Sequence, residues 1–296
     1  MRPQALRTAG VHADVVDKRN RFPYRSALVT GASSGIGACF ARALAAAGAT
    51  DLVLVARRLG ELEALGASLG SEFGTRTEVV QADLATADGI AIAEARIKAL
   101  DDDAPPVELL VNCAGAATAG SFAKSDADDH QRVIELNVTA AVRLTAAALP
   151  GMLDASHGGI VTVSSLSCWI PSPNNAVYAA TKAFLTSWGE SLHGEVRKSG
   201  VNVTTVVPGP VATRFLETNG FDVGLLPRFG WVRPEDVARD ALRAVAAGRA
   251  VVVPGVVSRA VAVFGTRMPR SVLRVAGRHV FSETSDGCLR KVHHGD

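Results

Sequence analysis

Residues 26–37 read SALVTGASSGIG, and this stretch decides the fold. Ser26–Thr30 is a short apolar run of the kind that forms a buried strand. Thr30-Gly31-Ala32-Ser33-Ser34-Gly35-Ile36-Gly37 follows directly, and an Ala-rich segment from about Ile36 to Ala47 has the length of a helix. Glycines at a strand–turn–helix junction let the chain turn sharply and let backbone approach a ligand closely. The helix opening there offers free N–H groups and the positive end of its dipole, an arrangement that holds a phosphate. The spacing is G-x-x-x-G-x-G rather than the G-x-G-x-x-G of the common dinucleotide fingerprint.

Outward from this junction, apolar runs recur at Asp51–Val55, Glu78–Gln81, Leu109–Asn112, Gly159–Ser164, Val201–Val207 and Ala250–Val253. Helical segments alternate with them: Leu59–Leu69, Asp88–Leu100, about Asp126 to Leu149, one starting near Asn175, and Glu235–Ala247. Continuous Val/Ile/Leu runs, rather than alternating ones, mark parallel strands covered on both faces. The pattern predicts an α/β fold, a doubly wound parallel sheet (Rossmann-like) of about seven strands with helices on both faces, with its ligand at the carboxyl ends of the strands. One catalytic domain is expected over 25–258, after an extension at 1–24 and before a basic, partly helical tail at 259–296.

Hydrophobic residues make up 48% of the 296, enough for a sizeable core, and aromatics only 5%, so Ala, Val and Leu must fill it. Residues 1–25 hold six Lys/Arg and two Asp, and residues 259–296 hold seven Lys/Arg and three Asp/Glu. The body between is acidic, which argues against a nucleic-acid partner, since such a fold carries its basic patch on the domain itself. Cys39, Cys113, Cys168 and Cys288 lack metal-ligand spacing, so no metal is expected; they read as free thiols of a reducing compartment. With no apolar h-region and no run of ~18 apolar residues, a cytoplasmic protein is expected.

About 20 residues beyond the glycines, an NAD enzyme places an acid for the ribose 2′-hydroxyl. Here that count reaches Arg57, followed by Arg58. A guanidinium pairs with a 2′-phosphate where a carboxylate would repel it, so NADP(H) is the expected cofactor, with the Ser33 hydroxyl as a further donor. Tyr178-Ala179-Ala180-Thr181-Lys182 puts Tyr178 and Lys182 one helical turn apart on one face. A free tyrosine titrates near ~10, and a nearby ammonium favours its phenolate. Ser165 stands 13 residues before Tyr178, at the end of a strand. Such a serine can bind a substrate oxygen whose proton the tyrosine exchanges.

Taken together, these motifs resemble the short-chain dehydrogenase/reductase family, whose glycine motif is T-G-x-x-x-G-x-G and whose catalytic set is Ser-Tyr-Lys. The resemblance spans residues 30 to 213. It implies that Gly31, Ser33, Ser34, Gly35, Ile36 and Gly37 hold the pyrophosphate end, and that Asp83-Leu84 holds the adenine edge. Asn112-Cys113-Ala114-Gly115 resembles the family's N-N-A-G, departing at Cys113. Asn137 is implied to support a water linking Lys182 to solvent, and Lys182 to hold the nicotinamide ribose beside Tyr178. Pro208-Gly209-Pro210-Val211-Ala212-Thr213 matches P-G-x-x-x-T, with Val211 and Thr213 implied on the nicotinamide carboxamide. Homodimers or homotetramers, built through the helices after strands four and five, are usual in the family.

For the substrate, a carbonyl or alcohol compound, the segment Arg214–Arg233 carries Phe215, Leu216, Phe221, Leu225, Leu226, Phe229 and Trp231, facing Cys168, Trp169, Ile170 and Val177. An apolar pocket wall using Trp169 and Phe215 and simple lid packing are equally open. Residues 251–273 are similar to the C-terminal region of long-chain ketoacyl and mycolate-type reductases, which points to a 3-oxoacyl or other lipid-like ketone. An alcohol or hydroxysteroid dehydrogenase working oxidatively is the alternative, and a non-catalytic NADP-binding regulator the rival class. Arg267, Arg270, Arg274 and Arg278 recur at spacings of one helix face, with Val272, Leu273 and Val275 away from it. This helix either packs on the body or touches an anionic membrane peripherally, at the inner membrane surface.

Overall fold

The computed structural model describes residues 22–99, 105–118, 120–213 and 230–282. Seven parallel strands form one sheet in the order β3-β2-β1-β4-β5-β6-β7. They are β1 (Ser26–Thr30), β2 (Asp51–Ala56), β3 (Arg76–Gln81), β4 (Leu109–Asn112), β5 (Gly158–Val163), β6 (Val201–Val206) and β7 (Val251–Val252). The helices are α1 (Gly35–Ala46), α2 (Leu59–Phe73), α3 (Ala87–Lys98), α4 (Ala127–Ile134), α5 (Ala140–Asp154), α6 (Ala176–Val196), α7 (Pro234–Ala246), α8 (Val256–Arg267) and α9 (Arg270–Ser282). The doubly wound α/β fold expected from the sequence is the one observed.

The strand order reverses direction between β1 and β4, which are neighbours although five elements (α1, β2, α2, β3 and α3) separate them in sequence. Loops leaving the two strands diverge there and open a crevice at their carboxyl ends, the place where such sheets bind ligands. Two apolar layers sandwich the sheet. On one face Phe40 and Leu44 of α1, Leu62 and Leu69 of α2 and Leu242 of α7 are buried against Val29, Leu54 and Val111. On the other, Ile90 of α3, Leu144 of α5 and Leu192 of α6 cover Leu28, Leu110 and Ile160. Arg143 of α5 donates twice to Glu94 of α3, at 2.5 and 2.8 Å, and locks that layer laterally.

Several local expectations change. Strand β3 is an edge strand with no fully buried residue rather than a buried run; among the described residues it pairs with β2 alone. The single helix expected over 126–149 is two helices joined by a π-helical turn at Glu135–Thr139. The run Ala127–Asp154 is long and apolar enough by composition to cross a bilayer, against expectation. Its Ala140, Leu144, Ala148 and Met152 are buried against the sheet, as in a core helix. Tyr24, expected in a loose extension, is 2% exposed and donates its hydroxyl to Gly158 O at 3.2 Å. The boundary expected after residue 258 falls inside α8, whose Ala262 is buried with Leu166, Cys168 and Val207 of the body. The helix face expected to run through Arg267, Arg270, Arg274 and Arg278 is broken at Met268-Pro269, where α8 ends and α9 begins. Leu273 is buried, whereas Val272 and Val275 are exposed.

Candidate active site

The glycine loop and the β4 loop meet over the crevice. Gly31 has φ +68°, and a Cβ there would stand 3.0 Å from Ala114 Cα, so only glycine lets the two loops close up. A Cβ on Gly37 would stand 2.2 Å from Gly31 O, which fixes glycine where α1 begins against the turn. Ser34, preceding α1, makes no side-chain cap, so it does not compete for the helix's first N–H groups. Thr30 Oγ1 accepts from the N–H groups of Cys113 and Ala114, at 2.9 and 3.0 Å, and donates to Val111 O. Thr30 is thus the residue that ties the two loops; it stands in the quoted motif, and the signal for it was the threonine preceding the first glycine.

Arg58, not Arg57, is the guanidinium that reaches the glycine loop. Its Nη2 donates to Ser33 Oγ at 3.0 Å and to Ser34 Oγ at 2.9 Å, while Nη1 pairs with Glu61 at 2.8 Å. Arg57 has an exposed side chain and offers its carbonyl to Gln81 Nε2. Of the two arginines the sequence singled out, Arg58 is the one whose guanidinium meets the glycine-loop serines, just past the end of β2 at Ala56. Asp83 is engaged on both oxygens, by Ala85 N at 3.1 Å and by Arg132 at 2.9 Å, and Leu84 is buried below it. Asn112, buried, donates to Thr145 Oγ1 of α5 at 3.0 Å. Burial pushes the Cys113 thiol up to about 12, so it is an unreactive thiol at neutral pH.

At the other end of the crevice, Ser165 caps a short 3₁₀ turn, Leu166–Cys168, accepting from Ser167 N at 3.2 Å. Its hydroxyl also hydrogen-bonds Tyr178 of α6. Lys182, one turn along, donates its ammonium to Val163 O at 2.8 Å and stands 5.6 Å from the centre of the Tyr178 ring. Ser164 fixes α6 to the strand end by donating to Lys182 O at 2.8 Å and sharing a 2.7 Å bond with Thr186.

Burial dominates the electrostatics. It pushes the Tyr178 phenol up to about 12, with the Ser165 hydrogen bond pulling the other way. It pulls the Lys182 ammonium down to about 8, against the neighbouring cysteines. The sequence led us to expect a tyrosine lowered by the lysine; in the fold, removal of water from around the phenol outweighs the one lowering influence, the Ser165 hydrogen bond. Asn137 lies in the π-turn and is 1% exposed. Its Oδ1 accepts from Ala116 N at 2.9 Å, and its Nδ2 donates to Ala116 O and Thr181 Oγ1. It thereby joins the β4 loop to α6. Gly115 lies between: a Cβ there would stand 3.2 Å from Asn137 Oδ1 and 3.6 Å from Lys182 Nζ.

The Pro208–Thr213 loop closes the floor. Pro208 O accepts from Leu166 N at 3.0 Å, Gly209 lies against Ser258 of α8, and Val211 bridges to Val232. Thr213 reaches back so far that a Cβ on Gly35 would be 3.3 Å from its methyl. Trp169 and Ile170, just past Ser165 in the chain, pack against Gly265 of α8. Phe215 and the segment 214–229 lie outside the described residues, as do Cys288 and residues 1–21.

A doubly wound sheet with a glycine loop at its switch point, and a Ser-Tyr-Lys set at the next strand ends, defines a nucleotide-dependent oxidoreductase fold. Residues 25–222 match the profile of the short chain dehydrogenase family. The protein belongs to the short-chain dehydrogenase/reductase family of oxidoreductases. It is 38% identical over 203 residues to an uncharacterized oxidoreductase of Myxococcus xanthus, covering 69% of this chain and 78% of that one. A short-chain dehydrogenase from Sphingobium yanoikuyae, solved with NADPH, superposes with TM-score 0.74 at 36% identity, over 82% of this chain and 93% of its own. L-Sorbose reductase from Gluconobacter frateurii, solved with NADPH and L-sorbose, gives TM-score 0.67 at 28% identity, over 79% and 97%.

Proposed function

We propose that the protein reduces a ketone to an alcohol with NADPH, with a lipid-like or otherwise bulky apolar carbonyl compound as substrate. The observation that carries this reading is the grouping of a buried Tyr178, hydrogen-bonded to Ser165, with a buried Lys182 one turn along α6. The residues fit NADP(H). Arg58 with the Ser33 and Ser34 hydroxyls makes a cationic, donor-rich cradle suited to the 2′-phosphate, and the bare helix start at Gly35 suits the pyrophosphate. The Sphingobium and Gluconobacter relatives were both solved with NADPH, which supports the same choice. NADPH, when bound, supplies the hydride.

The chain's own residues supply the rest. Ser165 Oγ orients the substrate oxygen, and Tyr178 Oη gives it a proton. Lys182 stabilises the negative charge left on the phenolate. The Asn137 side chain is used up on Ala116 and Thr181, which leaves its main-chain carbonyl, in the π-turn, to hold a relay water. A buried phenol raised to about 12 is suited to give a proton to the substrate oxygen in the reductive direction. Trp169 lies on an open cleft with Met268, between the C-terminal helices, and Leu273; these apolar side chains, beside Thr266 and Arg270, fit an apolar substrate with a polar group. As in the family, a homodimer or homotetramer is proposed, with Ile134 and the stacked Phe184–Trp188 pair on its interface.

The test is NADPH oxidation across ketones from short soluble compounds to long 3-oxoacyl thioesters and steroids. Turnover should rise with apolar bulk, and Tyr178→Phe should lower it roughly 10²–10⁴-fold, the usual worth of a general acid. Undiminished turnover in that variant would remove Tyr178 from the proton transfer.

A further inference from the structure

The C-terminal helices α8 and α9 carry a surface the reductase reading does not use. Each buries a narrow stripe on the body: Ser258, Ala262 and Gly265 in α8, Leu273 and Gly277 in α9. Their outer faces expose Val256 (78%), Val263 (50%), Phe264 (40%) and Val275 (56%). Interleaved with these, and exposed, are Arg259, Arg267, Arg270, Arg274 and Arg278. No Asp or Glu occurs anywhere in residues 241–282. Among the described residues, none of the five arginines forms an ion pair, and only Arg270 has a hydrogen bond from its side chain, to Trp169 O at 3.3 Å. A solvated helix normally carries both signs of charge and few apolar residues; this pair carries one sign and several.

We propose that the outer face of α8 and α9 docks on an anionic lipid bilayer. Apolar side chains of this size enter the headgroup–acyl boundary, while arginine stems lie along it and put their guanidinium groups on lipid phosphates. A second copy of this chain is a poorer occupant. A two-fold interface would set this face against itself, five arginines against five with no carboxylate between them. An acidic partner protein would satisfy the charges but not the exposed valines and phenylalanine among them.

The place of this face gives it a purpose. Gly265 of α8 presses on Trp169 and Ile170, where a Cβ would approach to 3.0 Å, and α9 seats Gly277 on Pro171. An open cleft of about 470 Å³ lies between Trp169 and residues 265–273. The segment so clamped joins Ser165 to Tyr178. With the outer face docked, this cleft beside the segment that joins Ser165 to Tyr178 would lie close to the membrane, giving an apolar carbonyl compound a short path to it from the bilayer. That purpose rests on the lipid-carbonyl reading above; the docking itself does not.

The experiment is co-sedimentation of the full chain with vesicles of phosphatidylcholine alone and of phosphatidylcholine with phosphatidylglycerol. The chain should partition onto the anionic vesicles only, and less so as salt rises. Replacing Arg259, Arg267 and Arg274 by Gln should weaken partitioning about a hundredfold, from roughly fivefold for each arginine at an anionic surface. Val263→Ser with Phe264→Ser should weaken it as well, while both variants keep their NADPH-dependent turnover of a short, soluble ketone. Equal partitioning of wild type and the arginine variant, or none on either vesicle, overturns the docking. Self-association by light scattering that Phe264→Glu abolishes, without vesicle binding, would give the face to a second copy instead. The wild-type salt dependence answers the question without any variant. Loss of soluble-ketone turnover in every form would count against the reductase reading and leave the vesicle result standing.

Discussion

At the scale of single residues, what decides chemistry here is where water has been removed. Lys182 is 5% exposed and its ammonium is drawn down to about 8, while Tyr178 is held near 12. Reduction needs Tyr178 protonated before the step and a cation beside it afterwards. Across neutral pH the first condition is constant, so the second sets the profile. The reductive kcat should be flat below about pH 8 and fall above it, as Lys182 loses its proton. Lys182→Arg, which keeps a charge, should move that limb upward; a wild-type rate flat through pH 10 would take the lysine charge out of the step. Arg58, hydrogen-bonded to Ser33 and Ser34, is the residue proposed to meet the 2′-phosphate. A charge-assisted hydrogen bond to an ion is worth about 1.5–3 kcal/mol, so Arg58→Gln should raise the NADPH KM roughly tenfold to a hundredfold. NADH, lacking the 2′-phosphate, should be little affected, and Arg57→Gln should leave the preference between the two unchanged. The reverse pattern would return the phosphate to Arg57.

At the scale of elements, the C-terminal helices are the unexpected part. From sequence they read as a tail; in the fold α8 covers Leu166, Cys168 and Val207, and α9 sits on the segment before α6. Gly277 is what permits the second contact, since a Cβ there would lie 2.0 Å from Pro171 O. Gly277→Val should therefore lift α9 from the body. Hydrogen exchange over residues 270–278 should accelerate, and the KM for a bulky ketone should rise several-fold, while turnover of a small one persists. Unchanged exchange would mean that α9 shifts without undocking. The π-turn at Glu135–Thr139 is the comparable feature in the α4–α5 run. It places Asn137 between the β4 loop and α6, where it satisfies three polar partners at once.

At the scale of the whole molecule, the two groups that burial perturbs act on stability with opposite signs. Lys182 titrates lower in the fold than in the unfolded chain, so between about 8 and 10.5 the unfolded chain binds more protons and stability rises with pH. Tyr178 titrates higher in the fold, so between 10 and about 12 its contribution is lost as pH rises.

The sequence by itself determined the doubly wound sheet, because apolar strand runs and helical segments alternate at intervals that permit little else. It also determined the glycine loop and the Ser165, Tyr178 and Lys182 set, because their spacing follows strand ends and one helical turn. Tertiary structure alone decided which of two adjacent arginines meets Ser33 and Ser34. Strand β2 ends one residue later than the expected run, and a side chain's direction changes with each residue of a strand. It alone decided that burial raises the Tyr178 phenol, since desolvation depends on neighbours distant in sequence. And it alone turned a basic tail into two docked helices: which face of each is buried depends on Trp169, Ile170 and Pro171, about a hundred residues away, against which small residues such as Gly265 and Gly277 allow close approach.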